Sequence, residues 1–91
     1  MDFKKILQIS MAHLKPSTIE LLSEEQIPGL AVYKKEEYGF FIVTDIDLVD
    51  VDELPAELAF ILGVAIAQDC YYIEVDRDFI VNVKLPIFTE E

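Results

Sequence analysis

No internal disulfide can form in this chain, because Cys70 is its only cysteine, and for the same reason no thiolate cage can hold zinc. His13 is likewise alone, which removes the paired-histidine metal motifs. Glycine is scarce, at three residues, and neither a G-x-S-x-G elbow nor a glycine pair suited to an oxyanion hole is present. Long apolar runs are missing too. The longest, Leu58 to Ala67, is about half of a membrane span. Met1-Asp2-Phe3-Lys4-Lys5 has lysines but no following apolar run or small-residue cleavage site, so it does not read as a secretion signal. A reducing, cytoplasmic setting is expected, with no cofactor, no metal and no membrane.

The scarcest commodity is positive charge in the second part of the chain. From Glu36 onward fourteen acidic residues face two basic ones, Arg77 and Lys84, a net of −12, whereas residues 1–35 sum to +1. Such a field repels phosphate and attracts basic surfaces. Direct binding of nucleic acid is therefore not expected, and a basic protein surface is.

What is present is enough for a core. At 91 residues the chain predicts a single domain, 1–91, and a 53% hydrophobic content allows folding without a staple. Pro and Gly divide it into short elements. Ile6 to Ala12 alternates like a half-buried strand. Pro16 in a first turn, or Ser17 and Glu20 as a capping box, starts a helix whose Ile19 and Leu22 face the core. Leu30 to Tyr33 and Phe40 to Thr44, flanking the polar turn Lys34 to Glu37, read as a hairpin. Pro55 opens a second helix over Ala56 to Gln68. Tyr71 to Val75 alternates again, and Phe79 to Leu85 is expected to add a fifth strand. The order β-α-β-β-α-β(-β) predicts an α+β two-layer sandwich: a mainly antiparallel sheet with two helices on one face, ferredoxin-like as a first guess.

Candidate sites are acidic. Asp45, Asp47, Asp50, Asp52 and Glu53 alternate loosely with Ile46, Leu48, Val49 and Val51, so apolar anchors would hold the connection on the core and turn the carboxylates outward as a ridge. A ridge of this kind can imitate spaced phosphates for a Lys/Arg-lined groove. The same charges can also be a solvated loop whose Asp52 and Glu53 favour a helix N-terminus. A calcium loop would need a central Gly, and the segment has none. Glu74, Asp76 and Asp78 form a second patch, on one face if the strand continues through them; alternatively they form a turn with Arg77 bridging its neighbours. His13, at a strand-to-helix junction, has no catalytic company and reads as a capping or hydrogen-bonding residue. Cys70 reads as a small core residue. The second helix is apolar nearly all round and must be covered on more than one side, by the tail Leu85 to Phe88 or by a second copy meeting Phe60, Ile61 and Val64.

The runs Ile9-Ser10-Met11-Ala12-His13-Leu14, Tyr38-Gly39-Phe40, Leu54-Pro55-Ala56-Glu57-Leu58 and Cys70-Tyr71-Tyr72-Ile73-Glu74-Val75-Asp76-Arg77-Asp78 together resemble a family of small, uncharacterised bacterial and phage-borne proteins, a domain of unknown function. The resemblance implies context: on phages and mobile elements, small acidic proteins commonly block host defence. It carries no catalytic residues.

The expectation is therefore a protein that is not an enzyme: an inhibitor of a nucleic-acid-handling host or defence protein, such as a CRISPR effector, acting by phosphate mimicry. The eight acids named above are its partner-binding residues. The alternative is a homo-oligomeric accessory domain that associates through the second helix. Crowded carboxylates repel, so the melting temperature is expected to rise between low and moderate salt; a flat response would show the acids too dispersed to form one field.

Overall fold

Alternation decides which side of each strand is buried, and strand pairing turns those choices into layers. The computed structural model describes residues 4–88. It contains β1 (Lys5–Ser10), α1 (Pro16–Ser23), β2 (Val32–Lys35), β3 (Gly39–Val43), α2 (Ala56–Ala67) and β4 (Cys70–Asp76), with single 3-10 turns at Met11–His13 and Val51–Glu53. The sheet order is β1-β4-β3-β2. β1 pairs parallel with β4, and the other two pairings are antiparallel.

Register builds the core in rows. Leu7, Ile73, Ile42 and Val32 lie abreast across the four strands, and Ile9, Val75 and Phe40 form the next row. Leu22 from α1 and Leu58, Ile61, Leu62 and Ala65 from α2 close over them. Each fully buried aliphatic side chain, such as Ile73, contributes about 1.5–3 kcal/mol. Among the described residues no helix covers the opposite sheet face: Ile6 and Tyr33 are exposed there, beside Phe41, Val43 and Tyr72. The pairing of β1 with β4 slips between Lys5 and Ile6, which leaves Tyr71 as the extra residue of a bulge.

The α+β class, the two layers and the mainly antiparallel sheet stand. Two details are corrected. Two interleaved parallel β-α-β halves would separate β3 from β4, yet these strands pair directly and antiparallel, so the ferredoxin-like strand order does not hold. Phe79 to Leu85 forms no strand. Its backbone is engaged by side chains instead, since Asn82 N–H donates to His13 Nε2 (2.9 Å) and Lys84 N–H to Asn82 Oδ1 (2.9 Å), leaving Ile80 and Val83 almost fully exposed.

Pro16 occupies the first turn of α1, where its missing N–H costs nothing. Both helices stop without glycine. Glu25 (φ 53°) and Asp69 (φ 58°) take the left-handed conformation that ends α1 and α2. At α1, Glu25 N–H donates to Leu22 O and Gln26 N–H to Leu21 O, the paired bonds of a Schellman ending. No basic residue lies in the last turn of either helix.

Gly39 sits so close to β4 that a Cβ would overlap the Val75 carbonyl, a backbone group that cannot turn aside. Gly63 on α2 has open space where its Cβ would be. Urea unfolding is thus expected to show Gly39→Ala losing about 3 kcal/mol or more, and Gly63→Ala gaining roughly 0.5–1 kcal/mol from helix propensity.

Candidate functional site

The connection from β3 to α2 is pinned from below. Ile46 and Leu54 pack against the core, and Asp50 caps the 3-10 turn by accepting from Asp52 N–H at 3.2 Å. Asp45 likewise accepts from Asp47 N–H at 3.1 Å. Gly29, at φ 83°, lies against the Leu48 backbone so tightly that a Cβ there would overlap the carbonyl. The result is an ordered acidic edge. Asp45, Asp47, Asp50, Asp52 and Glu53 are all exposed, and none has a cationic partner among the described residues. The anchoring is narrower than the alternation predicts: Leu48 is 85% exposed and Val51 is 47% exposed, so these two stand outward with the acids.

Beside this edge lies a groove of about 480 Å³ between the end of α1 and the connection. Leu21, Ile27, Pro28, Val49 and Leu54 supply apolar walls, with Asp50 and Glu53 also lining it. Apolar floor and carboxylates together suit a long basic side chain, which buries its methylene stem and keeps its charged head on an acid.

The second acidic patch is different. Register sets Ser10, Asp76, Gly39 and Lys35 abreast, with Glu74 one row away on the same open face. Lys35 Nζ reaches Glu74 Oε2 at 2.5 Å and Asp76 Oδ2 at 2.7 Å. Gln8 Nε2 donates to Glu74 Oε1 (3.0 Å), and Asp78 N–H to Asp76 Oδ1 (2.8 Å). Asp78 itself is past the strand, in the turn, and does not join the other two on the face. Arg77 does not bridge the acids by a salt bridge; its guanidinium stacks over the Tyr38 ring at 5.0 Å. The charge of Glu74 and Asp76 is thus already engaged within the fold. Hydrogen bonds that it donates to Asp76 and Glu74 hold the Lys35 ammonium above its ordinary value of 10.5. Burial opposes ionisation of Glu74, but the bonds from Lys35 and Gln8 outweigh it and leave its carboxyl below 4.5. Lys35 and the Asp78 N–H hold Asp76 below 3.8.

His13 is buried at 1% exposure, and its ring is fully used. The Asn82 N–H can only donate, so Nε2 accepts, and Nδ1 carries the proton toward Pro86 O at 2.8 Å. With Phe88 N–H donating to Ala12 O at 2.7 Å, the turn at Met11–His13 grips the C-terminal segment. His13 is a hydrogen-bonding anchor and Cys70 a core residue, 4% exposed. The tail reaches the first turns of α2 through Pro86 and Phe88, while Phe60, Gly63, Ile66 and Ala67 farther along stay exposed. Ile61, expected at an oligomer interface, is 2% exposed and belongs to the core, because it faces the sheet; Val64 is half-buried.

Sequence reasoning passed over one residue in particular. Glu57 is 7% exposed, and its Oε2 accepts from Lys15 N–H (2.8 Å) and Thr18 Oγ1 (2.6 Å) at the start of α1. Oε1 has no partner. The available signal was a single acid in the first turn of an otherwise apolar helix.

Among the described residues no three His, Cys, Asp or Glu side chains converge as metal ligands, and no helix is long and apolar enough to cross a membrane. A family model described as the C-terminal domain of a family of unknown function, DUF5983, matches residues 6–90, and the chain belongs to that family. No curated protein and no solved structure matches it.

The linkage of the Lys35 cluster has a definite sign. Carboxyls held low contribute stability at neutral pH that is lost as pH falls through their depressed folded values; an ammonium held high contributes stability that is lost as pH rises through its raised one. Lys35→Met is expected to remove the alkaline limb and weaken the acid one, which Gln8 and the Asp78 N–H still support in part, so that its urea midpoint changes less than the wild type's between pH 7 and 3.

Proposed function

We propose that this protein is a binding module without catalytic chemistry that docks a basic, nucleic-acid-handling protein through the connection 45–53. Its carboxylates stand in for phosphates, and the target is a host or defence protein such as a CRISPR effector. One observation carries the reading. The five acids of the connection are exposed and without a cationic partner among the described residues, on a segment fastened by Ile46, Leu54 and Gly29. A fixed acidic edge offers charge without a large ordering cost on binding. The adjoining groove, with Asp50 and Glu53 in its lining, adds a seat for a lysine or arginine stem, which supports a protein partner over a small cation.

Glu74 and Asp76 take a lesser part in this proposal than the connection does. Lys35 would have to release them before another cation could pair with them, whereas the connection has no such competitor. Asp78, outside the strand, sits at the border of that patch.

A second reading rests on α2. Its outer face, with Phe60 at 53% and Ile66 at 43% exposure around an open Gly63, is an apolar surface of the kind that a second copy would cover.

The test is capture from nuclease-treated bacterial lysate supplemented with purified CRISPR effectors, comparing the natural chain with a variant carrying Asp45, Asp47, Asp50 and Asp52 all changed to Asn. The expected result is an identified nucleic-acid-binding protein that is lost in the variant, eluted by salt and displaced by its own DNA or RNA ligand. Capture of nothing but the chain itself, with light scattering at twice the monomer mass, would overturn mimicry and transfer the function to α2.

A further inference from the structure

The segment 82–88 is tied to the exit of β1 through a single imidazole ring, and its two bonds demand opposite things of that ring. His13 Nε2 accepts from Asn82 N–H at 2.9 Å, and Nδ1 donates to Pro86 O at 2.8 Å. A neutral ring with its proton on Nδ1 meets both demands. A charged ring cannot, because it carries a proton on each nitrogen and the Asn82 N–H has no acceptor to offer. Protonation therefore sets two donors against each other at a residue that is 1% exposed, where an unmatched polar group is strongly disfavoured.

Little else fastens the segment. Val83 and Ile87 are exposed, as is Ile80 just before it, so burial of these side chains does not hold it. Leu85 packs against the core, Phe88 lies at the first turns of α2, and Phe88 N–H donates to Ala12 O at 2.7 Å. Two charged groups line the same cavity as the ring: Lys15 at the start of α1 and Glu57 in the first turn of α2. Neither bonds to it, and their effects on its charge oppose one another, the carboxylate favouring a charged ring and the ammonium a neutral one. Lys84, on the segment itself, is exposed.

From this we infer that 82–88 is a proton-released strap: neutral His13 holds it across the first turns of α2, and protonation of His13 frees it while the sheet and both helices stay folded. Histidine is the side chain whose charge changes near neutral pH, so it suits such a switch. Release uncovers the part of α2 where Phe60 and Ile61 meet Pro86 and Phe88. The acid form thus presents more apolar surface on α2 than the alkaline form does. The inference goes beyond the docking proposal and uses none of the 45–53 carboxylates.

Because His13 is the only histidine, the ring nitrogens of a sample labelled in histidine report it alone. The experiment follows those nitrogens by NMR, together with amide hydrogen-exchange protection, from pH 8 to pH 4.5. At pH 8 the ring is expected to carry one proton, on Nδ1. As it gains the second, protection of the Asn82 and Phe88 amides is expected to fall about tenfold or more, while the sheet amides of Ile42 and Ile73 keep theirs. His13→Gln places a side-chain oxygen near the position of Nε2 that accepts at every pH in this range, and is expected to abolish the fall at Asn82. Should that variant fail to fold, the ring and amide titrations of the natural chain decide. A ring that stays singly protonated down to pH 4.5, one whose proton sits on Nε2 at pH 8, or Asn82 protection that survives the second proton would overturn the inference. So would loss of Ile73 protection at the same pH, which means global unfolding, or an equal fall in His13→Gln.

Discussion

Burial of the Glu57 carboxylate is the constraint on which the arrangement of the two helices depends. The residue lies in the first turn of α2, and its Oε2 accepts from the backbone and a side chain at the first turn of α1. One negative charge therefore sits at the positive ends of two helices, a placement worth up to about 2 kcal/mol per helix end where the site is partly buried. That stabilisation offsets part of the desolvation cost of the charge, and it fixes where α1 can lie relative to α2. Leu22, Leu58, Ile61 and Leu62 can then meet over the sheet in one core. The His13 turn works beside it, at the same end of the molecule, binding the C-terminal segment to the exit of β1. Neither device resembles a catalytic group, because each has its polar atoms committed to holding chain to chain, apart from a single carboxylate oxygen.

Charge is distributed in two ways that the net value conceals. On the open sheet face Glu74 and Asp76 are tied to Lys35 and belong to the fold's own electrostatics. On the connection before α2 the carboxylates organise only their own backbone, through turns at Asp45 and Asp50, and otherwise face solvent. The first group stabilises the sheet. The second group has no such cation among the described residues.

Much of the fold was legible because it depends on local periodicity. Ile73 and Val75 alternate with Tyr72 and Glu74, and the observed strand needs nothing more than that pattern and its neighbours. The hairpin was legible from its turn, although β2 begins two residues later than the aromatic composition suggests, since Val32 rather than Leu30 finds the first partner, Ile42. The tail was misread because Phe79, Val81 and Val83 alternate like a strand, while the hydrogen bonds that decide its path come from His13, about seventy residues away. The acidic edge was visible in composition, but its anchor was not: nothing about Gly29 alone reveals that Leu48 will lie on it. The Lys35 cluster required the cross-strand register, which a single sequence does not state. Ile61 and Phe60 are neighbours in an apolar run, and only the rotation of the helix separates the core residue from the exposed one.

The helix endings bear on the same division of charge. Glu25 and Asp69 hold left-handed positions that glycine fills without strain, and Glu24, Glu25 and Asp69 put negative charge beside the negative ends of two helix dipoles. Local physics disfavours acids there twice over, by backbone conformation and by electrostatics. A sequence optimised for folding alone would have glycine or asparagine at these sites and a lysine nearby. The surface is thus more acidic than its architecture requires, and the stability forgone at the helix ends is a measure of how far this chain departs from the most durable version of itself.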